Sequence, residues 1–141
     1  MRRQQPGSVI FLTELLLSLT IFALCSSVCA SLFALSNQYS ERSGELSKAV
    51  VAVQSCAEAF KKYPDQSELA DILRGSVEGD DCVVYYDKDW IGTNPFNARY
   101  QARLSFREEA GLRLARITVS RVGGAEVYSV NASALVPEGG V

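Results

Sequence analysis

The run from Leu15 to Leu35 contains no charged residue, and it constrains this chain more than any other feature. About 21 residues at 1.5 Å each give a helix of roughly 30 Å, the thickness of a bilayer's hydrocarbon core. The run is therefore long enough to span a membrane. A single acidic side chain, Glu14, stands immediately before it. An ionised carboxylate facing lipid costs about 2.5 to 3.5 kcal/mol, so Glu14 calls for a positive partner or for a depth at which it reaches water.

Charge is distributed unevenly around this run. Arg2 and Arg3 precede it, and no acidic residue comes before Glu14. By the positive-inside rule the N-terminus stays cytoplasmic and the remainder is translocated. With the apolar run set aside, the rest of the 141 residues suffices for one small globular unit. The net charge is −2 and there is no His, so the chain lacks the basic footprint of a nucleic-acid binder and the neutral-pH imidazole used in catalysis and metal binding. No serine has a His to activate it and no base stands beside any tyrosine. The expectation is a protein that is not an enzyme, holds no cofactor and binds no nucleic acid directly.

Beyond the run, Leu46, Val50, Val53, Cys56 or Ala57, and Phe60 recur at helical spacing, with Glu45, Lys48, Gln54, Glu58 and Lys61 mainly on the other side. No Pro falls between Ser8 and Tyr63. The apolar and amphipathic segments can thus form one helix over residues 9–62, about 80 Å long, with Gly44 as a place to bend. "DQSELADILRG" predicts a short helix capped by Asp65 or Ser67 and ended by Gly75, and "VEGDDC" predicts a turn. Strand patterns follow. "CVVYYD" is β-branched and aromatic, "RYQARLSFRE" alternates with Tyr100, Ala102, Leu104 and Phe106 on one side, and "VYSVNASALV" aligns Tyr128, Val130, Ala132 and Ala134. In "LRLARITVSRV" the apolar phase changes between Leu114 and Ala115, which predicts a bulge or a strand covered on both faces. The fold class expected is α+β: a long N-terminal helix, half membrane-spanning and half amphipathic, packed on a small antiparallel meander of three or four strands.

Four cysteines fall into two settings. Cys25 and Cys29 lie four apart on the presumed membrane helix, where Cys packs as a small apolar residue. Cys56 and Cys82 fall in the exported part, where one bridge can tie the helix to the sheet if the compartment is oxidising and the geometry fits. Their spacing does not fit a zinc site, and no metal is expected. Asp80, Asp81, Asp87 and Asp89 supply oxygen donors without the ordered spacing of a calcium loop and read as solvated turn residues. Trp90, Ile91, Pro95 and Phe96 read as loop residues folded over the edge of a small core.

A short basic leader, Gly7, an apolar stretch with one Glu near its start, a long helix and a C-terminal meander together resemble the type IV pilin and pseudopilin family. The motif-bearing part is residues 7–35. The resemblance implies a pilin-like fold, cleavage after a Gly and N-methylation by a prepilin peptidase, and a Glu that pairs with the terminal amine of a neighbouring pilin or pseudopilin subunit. It makes Gly7 and Ser8 the processing positions and Glu14 the assembly residue. Cleavage after Gly7 places Glu14 seventh in the mature chain, where the family has it fifth. A fifth-position Glu requires a cut after Val9, where no Gly stands, and an uncleaved chain is the third alternative.

The resemblance divides the chain into a basic leader (residues 1–7), a transmembrane helix of prepilin type (8–35), an amphipathic continuation (36–63) and an extracytoplasmic α+β domain (64–141). The implied protein is a minor pilin or pseudopilin of a type IV pilus, type II secretion or DNA-uptake filament, held in the cytoplasmic membrane and surface-exposed when assembled. A competing reading uses "SVCAS": Val28 and Ala30 form a small-residue signal-peptidase site, and cleavage near Ala30 would release a secreted binding domain.

Overall fold

The computed structural model describes residues 6–135. Helix α1 runs from Pro6 to Lys62. Pro6 suits a first turn, where a missing N–H costs nothing. Lys61 and Lys62 in the last turn complement the helix dipole, and Pro64 lies just beyond. The helix passes through Gly44 unbroken. The chain divides into two compact units, one ending at Arg42 and the other beginning at Ser43.

The first unit is the apolar part of α1. Its large side chains, among them Phe11, Leu16, Phe22 and Phe33, are all exposed, and the helix is long and apolar enough to cross a membrane. Thr13, Thr20 and Ser31 donate their hydroxyl protons to carbonyls four residues back, those of Val9, Leu16 and Ser27. Small polar side chains on this segment are thereby satisfied within the helix itself.

The second unit is an α+β domain. Helix α2 (Gln66–Leu73) starts as expected at Asp65, whose carboxylate accepts from the backbone N–H of Ser67 and Glu68. It ends at Arg74, which takes the left-handed conformation (φ 53°). Gly75, expected to be the terminator, is required for a different reason: a Cβ there would lie 2.7 Å from the carbonyl oxygen of Val83.

Five strands follow, β1 (Ser76–Glu78), β2 (Asp81–Tyr86), β3 (Tyr100–Glu109), β4 (Leu112–Arg121) and β5 (Glu126–Leu135), joined in sequence order into one antiparallel sheet. The stretch expected to be only a turn contributes β1, paired from Ser76↔Val83 to Glu78↔Asp81 around Gly79 and Asp80. The β3–β4 hairpin closes on Ala110 and Gly111, both at positive φ (51° and 78°), as a two-residue hairpin turn matched to strand twist requires. No bulge occurs at Leu114. Leu112 and Leu114 lie on the face away from the helix, and the irregularity in register falls between Val119 and Ser120.

The core lies between the sheet and the Ser43–Lys62 part of α1. Ala49, Val53, Cys56 and Phe60 pack against Ala102, Leu104, Ala115, Ile117, Val119, Ala132 and Ala134, with Leu69 of α2 and Cys82 and Val84 of β2. Phe60 meets Phe106 at 5.8 Å between ring centroids. The buried stripe is rotated from the expected one: Leu46 is exposed and Val50 only half-buried, while Ala49 and Ala52 are buried.

Candidate functional site

The sequence directs attention to the start of α1. Gly7 and Ser8 lie in its first turns and are exposed, and a Cβ at Gly7 would meet nothing within 4 Å. Glu14 follows about two turns later, exposed, on the stripe it shares with Ile10, Leu17 and Ile21. It is the only charged residue between Pro6 and Leu35. Among the described residues no cation lies within ion-pair distance of it. Val28 and Ala30, the residues of the competing cleavage site, are exposed in the middle of the same uninterrupted helix.

Cys56 and Cys82 are both wholly buried in one core, as free thiols. The Cys56 sulfur lies 3.9 Å from the Tyr86 hydroxyl. Burial pushes the Cys56 thiol up to about 11, despite the opposing effect of Tyr86, and raises Cys82 as well. Burial is also the main cause that raises the Tyr86 hydroxyl. All three groups stay protonated at neutral pH, so neither thiol is an activated nucleophile.

The four aspartates do not converge. Among the described residues there is no group of three His, Cys, Asp or Glu side chains able to hold a metal. Asp81 bonds Arg103 at 3.0 Å, and Arg103 also pairs with Glu78 at 3.5 Å. Asp87 organises the next loop: its Oδ1 accepts from the backbone N–H of Asp89 (2.8 Å) and Ile91 (3.0 Å). That loop holds Trp90 at φ 64°, stacked on Tyr100 at 4.2 Å and packed against the core. Trp90 thus lies over the core edge as expected. Ile91 and Phe96 do not: they are 64% and 98% exposed, because the hydrogen bonds that tie Asp87 to Ile91 and Thr93 to Tyr85 turn the loop outward.

One pairing escaped the sequence reading. Glu45, expected on the wet side of α1, lies on the buried stripe one turn before Ala49, with its side chain 13% exposed. Arg121, at the end of β4, donates to it from Nε and Nη2, both at 2.7 Å. The Arg121 bond holds the Glu45 carboxyl below its ordinary range although burial opposes it, and Tyr100 acts in the same direction as Arg121. The available signal was the four-residue spacing from Glu45 to Ala49, which places both on one helical stripe.

The site residues therefore separate into an exposed apolar helix that carries Glu14 and a domain in which, among the described residues, the two buried thiols are not activated. Comparison with protein-family models, with curated proteins and with solved structures finds no match.

Proposed function

We propose that this chain is a non-catalytic assembly subunit of the type IV pilin and pseudopilin kind, anchored by the first half of α1 and built into a filament or tip complex through it. The observation that carries the reading is the single carboxylate of Glu14 near the start of an exposed, otherwise uncharged stretch of α1, a helix whose residues from Ala49 onward pack on an antiparallel meander. An exposed apolar helix is stable only in lipid or against other helices. Within either environment Glu14 is costly unless a positive charge meets it.

In this reading Arg2 and Arg3 keep the N-terminus cytoplasmic, and the domain from Ser43 onward stands outside. A prepilin peptidase cleaves after Gly7, and the new amine at Ser8 of one subunit neutralises Glu14 of its neighbour. With Glu14 in seventh position the pairing runs over two residues more than in the family, which sets a different register between neighbours. The chain supplies charge, apolar surface and register, while energy for assembly comes from elsewhere.

Replacing Glu14 with Ala tests this directly. The variant should insert in the membrane as before and fail to enter the assembled, sedimentable material. Normal incorporation of Glu14→Ala refutes the role.

A further inference from the structure

At the end of the apolar run, one face of α1 carries a small notch whose lining changes character along the helix axis. Leu35, Gln38, Tyr39 and Arg42 surround a space of about 90 Å³. Gln38, Tyr39 and Arg42 lie three, four and seven residues beyond Leu35, the spacing of a single helical face. In that order the notch passes from an aliphatic side chain to an amide, a phenol and a guanidinium, and all four residues are exposed. Two charged side chains stand between Ser36 and Gly44, Glu41 and Arg42. Glu41 points about 100° away from Arg42 around the helix and lies outside the lining. The next acid, Glu45, is held by Arg121, and Arg42 has no ion-pair partner among the described residues.

We infer that this notch holds the phosphate group of a membrane phospholipid, in the leaflet at the C-terminal end of the apolar run. The inference rests on the membrane anchoring proposed above and names the lipid group that sets its depth. The run from Leu15 to Leu35 fills roughly 30 Å of hydrocarbon. Gln38 and Tyr39 follow about 5 to 6 Å later, within a headgroup layer about 5 to 7 Å thick. The Arg42 backbone lies about 10 Å beyond Leu35. Side chains tilt toward a helix's N-terminus, however, and a guanidinium on a long stem reaches back along it, which brings the Arg42 donors to the level of Tyr39.

The lining follows the order of groups in a phospholipid. Leu35 meets the upper part of an acyl chain. Tyr39 suits the boundary, with its ring toward hydrocarbon and its hydroxyl in the wet layer. Gln38 and Tyr39 supply neutral donors, and Arg42 offers the planar fork of N–H groups that matches a phosphate. No carboxylate lines the notch, so its charge is complementary to an anion. A phosphate held there limits how far α1 slides along its own axis, because Arg42 resists entry into hydrocarbon.

The test places photoreactive benzoylphenylalanine at position 38 of the full chain, expressed in its native host, and in a second protein at position 22, where Phe22 stands exposed in the apolar run. After irradiation of isolated membranes, mass spectrometry should find glycerophospholipid adducts at both positions. Arg42→Gln should lower the yield at position 38 several-fold and leave that at position 22 unchanged. Arg42→Lys, which keeps the charge, should retain most of the yield at 38. Adducts at 22 but none at 38 overturn the phosphate site and leave the anchoring standing, as do adducts at 38 that Arg42→Gln leaves undiminished. Crosslinks from position 38 only to a second copy or to another protein overturn the site as well. Absence of lipid adducts at both positions overturns the site and the anchoring together.

Discussion

Glu45 on α1 and Arg121 at the end of β4 share two hydrogen bonds of 2.7 Å, 76 residues apart in sequence. Paired planar geometry of this kind fixes orientation as well as distance. The carboxylate is nearly covered by protein whereas the guanidinium is 56% exposed, so the pair clips helix to sheet at the rim of the core. Its energetic effect is reduced on the Arg121 side by solvent screening.

Glu45→Gln should lower the melting temperature of a fragment starting near Ser36 by a few degrees at pH 7. The sign of the pH dependence follows from the depressed carboxyl. The contribution is complete above the unfolded value, about 4.3, and is lost as pH falls through the lower folded value. Melting curves of wild type and variant should therefore converge below about pH 4. A constant difference down to pH 2 would contradict the pairing.

The rotated stripe on α1 makes a contrast between neighbours. Phe60→Ala should cost about 3 to 5 kcal/mol, since Phe60 is wholly buried against Phe106. Ala49→Leu should cost about 1 to 3 kcal/mol by overpacking, whereas Leu46→Ala, at an exposed position, should stay within about 0.5 kcal/mol of wild type. Urea unfolding of the same fragment measures all three. The reverse ranking of Leu46 and Ala49 would restore the stripe expected from periodicity.

The β3–β4 hairpin offers a stabilising change. Ala110 occupies a left-handed position next to Gly111, which costs an L-residue with a Cβ about 1 kcal/mol. Ala110→Asn creates the Asn-Gly pair favoured in such turns and should raise the stability by about 0.5 to 1 kcal/mol. A neutral or destabilising result would place the turn in another conformation.

Cys56 and Cys82 are buried free thiols with raised proton affinity. In the fragment from Ser36, neither should react with iodoacetamide at pH 7.5 under native conditions, and both should be alkylated after unfolding without reductant. Unfolded chain that takes no label until it is reduced would show a bridge instead.

Much of this architecture is legible in the sequence because its signals are local. The α1 boundary comes from a Pro-free run and Pro64, the α2 start from Asp65, and the faces of β3 and β5 from strict alternation at Tyr100–Phe106 and Tyr128–Ala134. Signals that depend on packing were misread. Counting large side chains puts Leu46 in the core, whereas the helix turns the small side chains of Ala49 and Ala52 inward and leaves Leu46 exposed. The three residues of β1 carry too short a pattern to register, and the exposed Phe96 follows from loop hydrogen bonds that have no periodicity. Of the candidate site, Gly7, Ser8 and Glu14 were visible as a motif, while Glu45 and Arg121 could be joined only by the tertiary fold.

The separation of the two units at Arg42 and Ser43, with every residue of the main core from Ala49 onward, leads to a simple expectation. A chain starting near Ser36 should be soluble and cooperatively folded, and the full chain should fractionate with membranes. An insoluble or molten fragment would mean that the sheet needs more of α1 than the part that packs on it.

The most direct test of the assembly account is the mass of the N-terminal peptide of the protein recovered from membranes of its native host. The account predicts a chain that begins at Ser8 and is heavier by one methyl group. A chain beginning at Ser31, or one retaining Met1, would contradict it: the first would remove Glu14 from the mature protein, and the second would leave no new amine for Glu14 to meet.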